Sequence, residues 1–232
     1  MPEFFPMNGI WAVLLTCATF QLGQYLRKKS GSALCNPILI SAIIVIAFLV
    51  AFDIPNDTYQ SSMKLTSWLM TPCTVCLGIP LYTQLKRMKG NLPAIFIGVV
   101  AGTVSSLVLI GLMCLVLGLD DSITAALLPK SITTAMAIPL VEPTVGLVPL
   151  TTSAVIISGI IGSMGGQAMC RLFGIRHHIA QGVAYGTASH VIGTSRATEI
   201  NELIGAVGSL SLCIAGILTA VLYPFALMIF VG

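Results

Sequence analysis

The sequence predicts an all-α polytopic membrane protein: about six transmembrane helices plus two re-entrant, broken-helix hairpins in inverted arrangement. Three observations predict it. The composition is nearly stripped of charge. Long apolar runs carry basic residues at alternate ends. Two shorter apolar segments are cut by proline, glycine and polar residues.

Hydrophobic residues make up 56% of the 232 and charged residues only 8%, and the mean hydropathy is +0.98. A soluble domain carries roughly 25% charged residues, and a surface this poor in charge would associate in water. The net charge of +3 is too small to point to nucleic acid. The N-terminal Met1-Pro2-Glu3-Phe4-Phe5-Pro6 lacks the basic region of a cleaved signal peptide, so the first helix is expected to act as an uncleaved signal.

About 20 apolar residues are needed to cross the hydrocarbon core. The runs that reach or approach that length are residues 4–26, 35–52, 65–85, 90–119, 143–170 and 203–232. Orientation follows from the basic residues between them. Arg27, Lys28 and Lys29 follow the first run, Lys86, Arg87 and Lys89 the third, and Arg171 and Arg176 the fifth. These ends are therefore cytoplasmic. Asp53, Asp57, Asp120 and Asp121 fall in the alternate, external loops, and the N-terminus is outside.

That assignment constrains the rest. The fourth run emerges outside near Asp120, and the fifth must run from outside to inside. Residues 122–142 must then start and finish outside, although they are apolar enough to enter the bilayer. A re-entrant hairpin is the simplest solution. Pro129 and the polar Lys130-Ser131 supply its break, with Pro139 and Pro143 on the return arm. Residues 179–202 start inside after His177-His178, are cut by Gly182, Gly186 and Gly193, and end in Arg196, Glu199 and Glu202. A second hairpin returns those charges to the cytoplasm, whereas a full crossing places them outside; length and charge favour the hairpin.

The two units look related. A shift of 57 residues aligns Glu142 with Glu199, Gly159 with Gly216 and Ile160 with Ile217. A hairpin from each side, each followed by a long helix, is an inverted pair, and inverted repeats with broken helices near the midplane are a transporter design. The expected division is residues 1–120 as a scaffold and dimerisation half, and 121–232 as a transport half. Gly98 and Gly102 on the fourth run, and Gly159, Gly162, Gly165 and Gly166 on the fifth, permit close helix approach, serving internal packing or a dimer seam. A homodimer is expected for a bundle this small.

The polar breaks are where chemistry is expected. The first contributes Lys130, Ser131, Thr133 and Thr134, and the second Thr187, Ser189, His190, Thr194 and Arg196. Ionisable groups at membrane depth cost a few kcal/mol, and broken helices leave backbone N–H groups that attract anions. A small carboxylate suits this set, with Arg196 as a possible bidentate anchor. Lys130 also has the option of snorkelling to the outer interface, and Arg196 of pairing with Glu199. His190 is either a packing histidine or a proton carrier, since imidazole titrates near neutrality. Glu142 and Glu199 are the other candidates for ion or proton coupling, although Glu142 is expected to face external water.

Other chemistries find little support. Cys73-x-x-Cys76 has no second pair or nearby histidine for a structural zinc, so no metal and no cofactor is expected. The stretch Gly193-Thr194-Ser195-Arg196-Ala197 lacks the second glycine of a nucleophile elbow. No Gly-rich phosphate loop occurs, and the protein is not expected to be an enzyme.

Leu128-Pro129-Lys130-Ser131-Ile132-Thr133-Thr134 and Gly186-Thr187-Ala188-Ser189-His190-Val191-Ile192-Gly193-Thr194-Ser195-Arg196-Ala197 closely resemble the two signature stretches of the LrgB/CidB family. Glu199 and the Gly205-Ala206…Ser209-Leu210 stretch also match, and length and span arrangement fit from end to end. One departure is Ala135, where many members carry proline. The resemblance implies a bacterial plasma-membrane protein. It implies either a holin- or antiholin-like modulator of murein hydrolase activity and cell lysis, acting with a small LrgA/CidA-type membrane partner, or a transporter. Plant-plastid members export glycolate and glycerate, and some bacterial pairs are associated with pyruvate uptake. The paired broken helices favour a secondary transporter of small monocarboxylates, because a holin needs no such polar tips.

Overall fold

The computed structural model describes residues 9–30, 36–76, 82 and 89–231, and every regular element among them is helical. In chain order these are α1 (Trp11–Ser30), α2 (Pro37–Ala51), α3 (Asn56–Ser62), α4 (Lys64–Cys76), α5 (Leu92–Val116), α6 (Asp121–Leu127), α7 (Thr134–Val141), α8 (Val148–Leu172), α9 (His178–Ile200) and α10 (Glu202–Phe230). The chain packs as two compact units, Met1–Cys73 and Thr74–Gly232.

The first unit pairs α1 with α2. Asn36 caps α2, its Oδ1 accepting the Ile38 N–H at 2.9 Å, and Pro37 occupies the first turn, where no N–H is required. Gly23 lets α1 approach the Pro37 backbone, where a Cβ would come within 2.9 Å. Nearby, Thr19 and Ser41 hydroxyls are 2.8 Å apart. The short helix α3 falls in a stretch read from sequence only as an external loop. Asp57 sits in its first turn, where the helix dipole favours an acid. Tyr59 anchors it by a 2.8 Å hydrogen bond with Thr16 and an edge contact with Trp11. The third apolar run is helical as far as Cys76; the rest of it, Tyr82 apart, lies outside the described residues, as does the Cys73 side chain.

Among the described residues three helices are long and apolar enough to cross a membrane, all in the second unit: α5, α8 and α10, of 25, 25 and 29 residues. At 1.5 Å per residue each exceeds the roughly 30 Å hydrocarbon core. The other apolar helix, α2, has 15 residues.

Between the long helices lie the two broken segments. Helices α6 and α7 are separated by a non-helical stretch, residues 128–133, around Pro129. Proline removes an N–H and disfavours helix at the preceding residue, which places the break there. Pro139 does not break the return arm but sits inside α7, and Pro143 follows its end. Position 135 is the second residue of α7, where a proline would also be tolerated, so Ala135 leaves the bend unchanged.

Helix α9 is interrupted at His190, whose φ of 42° and ψ of −141° are non-helical. Its two arms lie against the same part of α10. Gly182 on the first arm abuts Ile204 and Val207, and Thr198 on the second abuts Gly205; nearer the break, Gly186 and Thr194 both abut Gly208. Tyr185 lies 3.4 Å from the Cβ position of Gly193, whereas eight residues of straight helix rise about 12 Å. The segment therefore folds back on itself with His190 at the turn.

The glycines anticipated as packing or dimer positions serve the interior in most cases. On α5, Gly98 and Gly102 face Val183 and Thr187. On α8, Gly159, Gly162 and Gly166 face His190, Ser189 and Tyr185, and Gly165 meets nothing within 4 Å.

Candidate functional site

Both breaks are fastened to the middle of α8. Ser158 donates its hydroxyl to the Lys130 carbonyl at 2.8 Å. Ile132 and Ala137 form a buried cluster with Val155. From the other broken segment, His190 Nε2 lies 2.9 Å from the Val155 carbonyl, and the ring covers Gly159. Ser189 packs on Gly162. A positive φ on a residue with a Cβ costs on the order of 1–3 kcal/mol and persists only where surroundings enforce it. Here the imidazole bond and the gap above Gly159 do so.

The 57-residue shift can be laid over the helices. Helices resume at Thr134 and, after the break, at Val191, which are equivalent under that shift. Gly159 on α8 receives His190 of the second broken segment, and Gly216 on α10, 57 residues later, receives Met136 of the first. Each long helix thus has a glycine near its midpoint that faces a residue at or beside one of the two breaks.

Hydrogen-bond accounting shows what the first break can hold. Three carbonyls at or just before it, two in the last turn of α6 and one at Lys130, are capped by side chains from other helices. Tyr223 donates to the Ala125 carbonyl at 3.0 Å, Thr151 to the Ala126 carbonyl at 3.0 Å, and Ser158 to the Lys130 carbonyl. Several donors at the break are unpaired. Thr133 is the N-cap of α7 but makes no side-chain cap, and its buried hydroxyl has no partner. The N–H groups of Thr134 and Ala135 make no hydrogen bond among the described residues. Lys130 has no ion-pair partner among them either. Open N–H groups at a helix start, a hydroxyl and an ammonium are the kinds of donor an anion accepts from.

A groove of about 660 Å³ leads to this place between α5 and the first arm of α9. Asn91 and His177 line one part of it, and Lys130, Ser131, Ser106 and Thr187 another. Ser106 and Ser131 hydroxyls are 2.9 Å apart.

Of the residues anticipated from sequence, Lys130, Ser131, Thr133, Thr134, Thr187, Ser189 and His190 lie on the two tips. Thr194 braces the second, donating to the His190 carbonyl at 2.7 Å. Arg196 is paired with Glu199 at 2.8 Å, one turn further along the arm. Glu142 is exposed just beyond α7. Sequence reasoning missed Ser106, Ser158, Thr151 and Tyr223. Their only signal was hydroxyls inside otherwise apolar spans. Among the described residues no group of His, Cys, Asp and Glu could hold a metal ion.

Tyr223→Phe tests the acceptor side. It leaves the Ala125 carbonyl buried without that partner and should cost about 1 kcal/mol. Thermal unfolding in detergent should show a lowered midpoint, and an unchanged midpoint would show that the carbonyl needs no cap.

The comparisons with known proteins agree with one another. The LrgB-like family profile matches residues 16–229. An antiholin-like protein LrgB of Bacillus mycoides (strain KBAB4) is 30% identical over 97% of this chain and 98% of its own length. Proteins of the same name from Bacillus cereus (strain B4264) and Bacillus anthracis (strain CDC 684 / NRRL 3495) are 29% identical over the same shares. No solved structure matches the chain. With a family match across nearly its whole length, the chain belongs to the LrgB family.

Proposed function

We propose that the chain is a secondary transporter of small monocarboxylates, of the pyruvate, glycolate or glycerate type, in the bacterial plasma membrane. The observation that supports it most is the donor-rich break beside Lys130, where two folded-back segments meet on the middle of α8. In this reading both segments are re-entrant, and the N-terminus is outside. Lys130 and the N–H groups of Thr134 and Ala135 hold the carboxylate, with Ser131, Thr133 and Thr187 reading its hydroxyl or keto oxygen. His190, Ser189 and Thr194 shape the opposite tip, and His190 is the candidate proton carrier. Arg196, held by Glu199, becomes an anchor only if that pair opens. Residues 121–232 form the transport half and 1–120 the scaffold. That is a division by role, since compact packing groups α5 with the later helices.

A second reading has its own support. The curated relatives are named antiholin-like, and those names support a regulator of murein hydrolase activity and lysis more than they support transport. It would act with a small LrgA/CidA-type membrane partner and need no substrate.

Reconstitution in liposomes separates the two. Transport predicts saturable uptake of labelled pyruvate or glycolate with no leakage of a trapped dye. Dye leakage without uptake, with and without the small partner, would sink the transporter reading and favour the regulator.

A further inference from the structure

Lys130 lines two grooves. Besides the one described above, a second of about 390 Å³ runs further along α5, toward its C-terminal end. The two share Ser106, Leu109 and Lys130. Their walls differ in kind. The first mixes small and hydroxyl-bearing residues with Asn91, His177 and the apolar Leu109, Ile179 and Val183. The second is lined by Leu109, Ile110, Met113 and Leu117 of α5, with Leu119 and Leu127 beyond. Apart from the Cys114 thiol, Ser106 and Lys130 are its only polar lining residues.

We propose that this apolar groove binds the alkyl chain of an unbranched medium-chain monocarboxylate whose carboxylate sits on Lys130. The inference goes beyond carriage of short acids and shares only Lys130 with that reading. A long apolar wall ending in one ammonium without an acidic partner is complementary to an amphipathic anion. A short acid gains nothing from Met113 or Leu117. A chain laid from Ser106 toward Leu117 follows a rise of about 16 Å along the helix, which suits a medium length. Depth selects a free acid over a phospholipid. Ser106 and Lys130 stand beside the middle of a helix long enough to span the bilayer, and phospholipid headgroups stay at the interface. A carboxylic acid, by contrast, enters the hydrocarbon in its neutral form and meets the lysine there. Because both grooves converge on one ammonium, short and medium-chain acids exclude each other.

The test uses the purified full chain in nanodiscs of phosphatidylcholine, with a diazirine-bearing decanoate as photolabel. The label should map to the α5 stretch 109–119, be displaced by octanoate, and be indifferent to octanol and octyltrimethylammonium. Lys130→Gln and Met113→Trp should each weaken labelling about tenfold or more, the first by removing the charge and the second by filling the groove. If Met113→Trp fails to reconstitute, Leu117→Trp, at an exposed position in the same groove, makes the same test. Labelling spread over the lipid-facing surface and insensitive to these variants overturns the proposal, as does equal displacement by octanol. Binding is read without transport. Short-acid uptake with no mapped label therefore defeats this inference alone, and mapped label with no uptake defeats the transporter reading alone.

Discussion

Lys130→Gln is expected to lower uptake of a small carboxylate by one to two orders of magnitude while leaving the protein folded. Hydrogen bonds to charged groups contribute about 1.5–3 kcal/mol, and 1.4 kcal/mol is a factor of ten in affinity. The fold should survive because the ammonium makes no ion pair that the substitution breaks. The backbone at this position is held independently, through the Ser158 bond to the Lys130 carbonyl. Removing a charge from membrane depth is, if anything, favourable for stability. The thermal midpoint in detergent should thus be unchanged or raised while uptake falls. Lys130→Arg keeps the charge on a bulkier, planar head and should retain more uptake than the glutamine variant. Uptake unaffected by Lys130→Gln would remove the lysine from the site, and a lowered midpoint would assign it a structural role instead.

The place of the first break was legible because its cause is local. Pro129 followed by Lys130-Ser131 interrupts a helix from within the segment itself. The second break was legible only approximately. Gly182, Gly186 and Gly193 marked the segment as breakable, yet the chain turns at His190, a residue with a Cβ, and those glycines serve close packing instead. What enforces the turn is the Val155 carbonyl and the space over Gly159, both on another helix, and no local pattern encodes such a partner. The same holds for the carbonyl caps. Thr151, Ser158 and Tyr223 act on residues 25, 28 and 98 positions away, so a scan for polar tips finds the groups that are capped and not those that cap them. Arg196 and Glu199 are three residues apart, and that pairing was visible as an option from the start.

The two equivalent glycines should respond unequally to the same change, and the difference tests how the tips are held. Alanine raises helix propensity over glycine by about 1 kcal/mol at either position. At Gly216 the added Cβ meets the Cε and Sδ of Met136, the far end of a flexible side chain that can swing aside. Gly216→Ala should therefore be nearly neutral or mildly stabilising. At Gly159 the Cβ falls 2.6 Å from His190 Cε1 and 2.7 Å from Nε2. That ring cannot retreat without losing its 2.9 Å bond to Val155. Overpacking of this kind costs about 1–3 kcal/mol, the lost bond about 1 more, and the strained backbone at His190 loses what holds it. Gly159→Ala should accordingly lower the thermal midpoint clearly and abolish uptake. Coupling supplies the control. In a His190→Ala background there is no ring to displace, so Gly159→Ala should become harmless or stabilising, a non-additivity expected only of residues in contact. Equal effects of Gly159→Ala with and without the imidazole would mean that the turn at His190 is held by something other than its seat on α8.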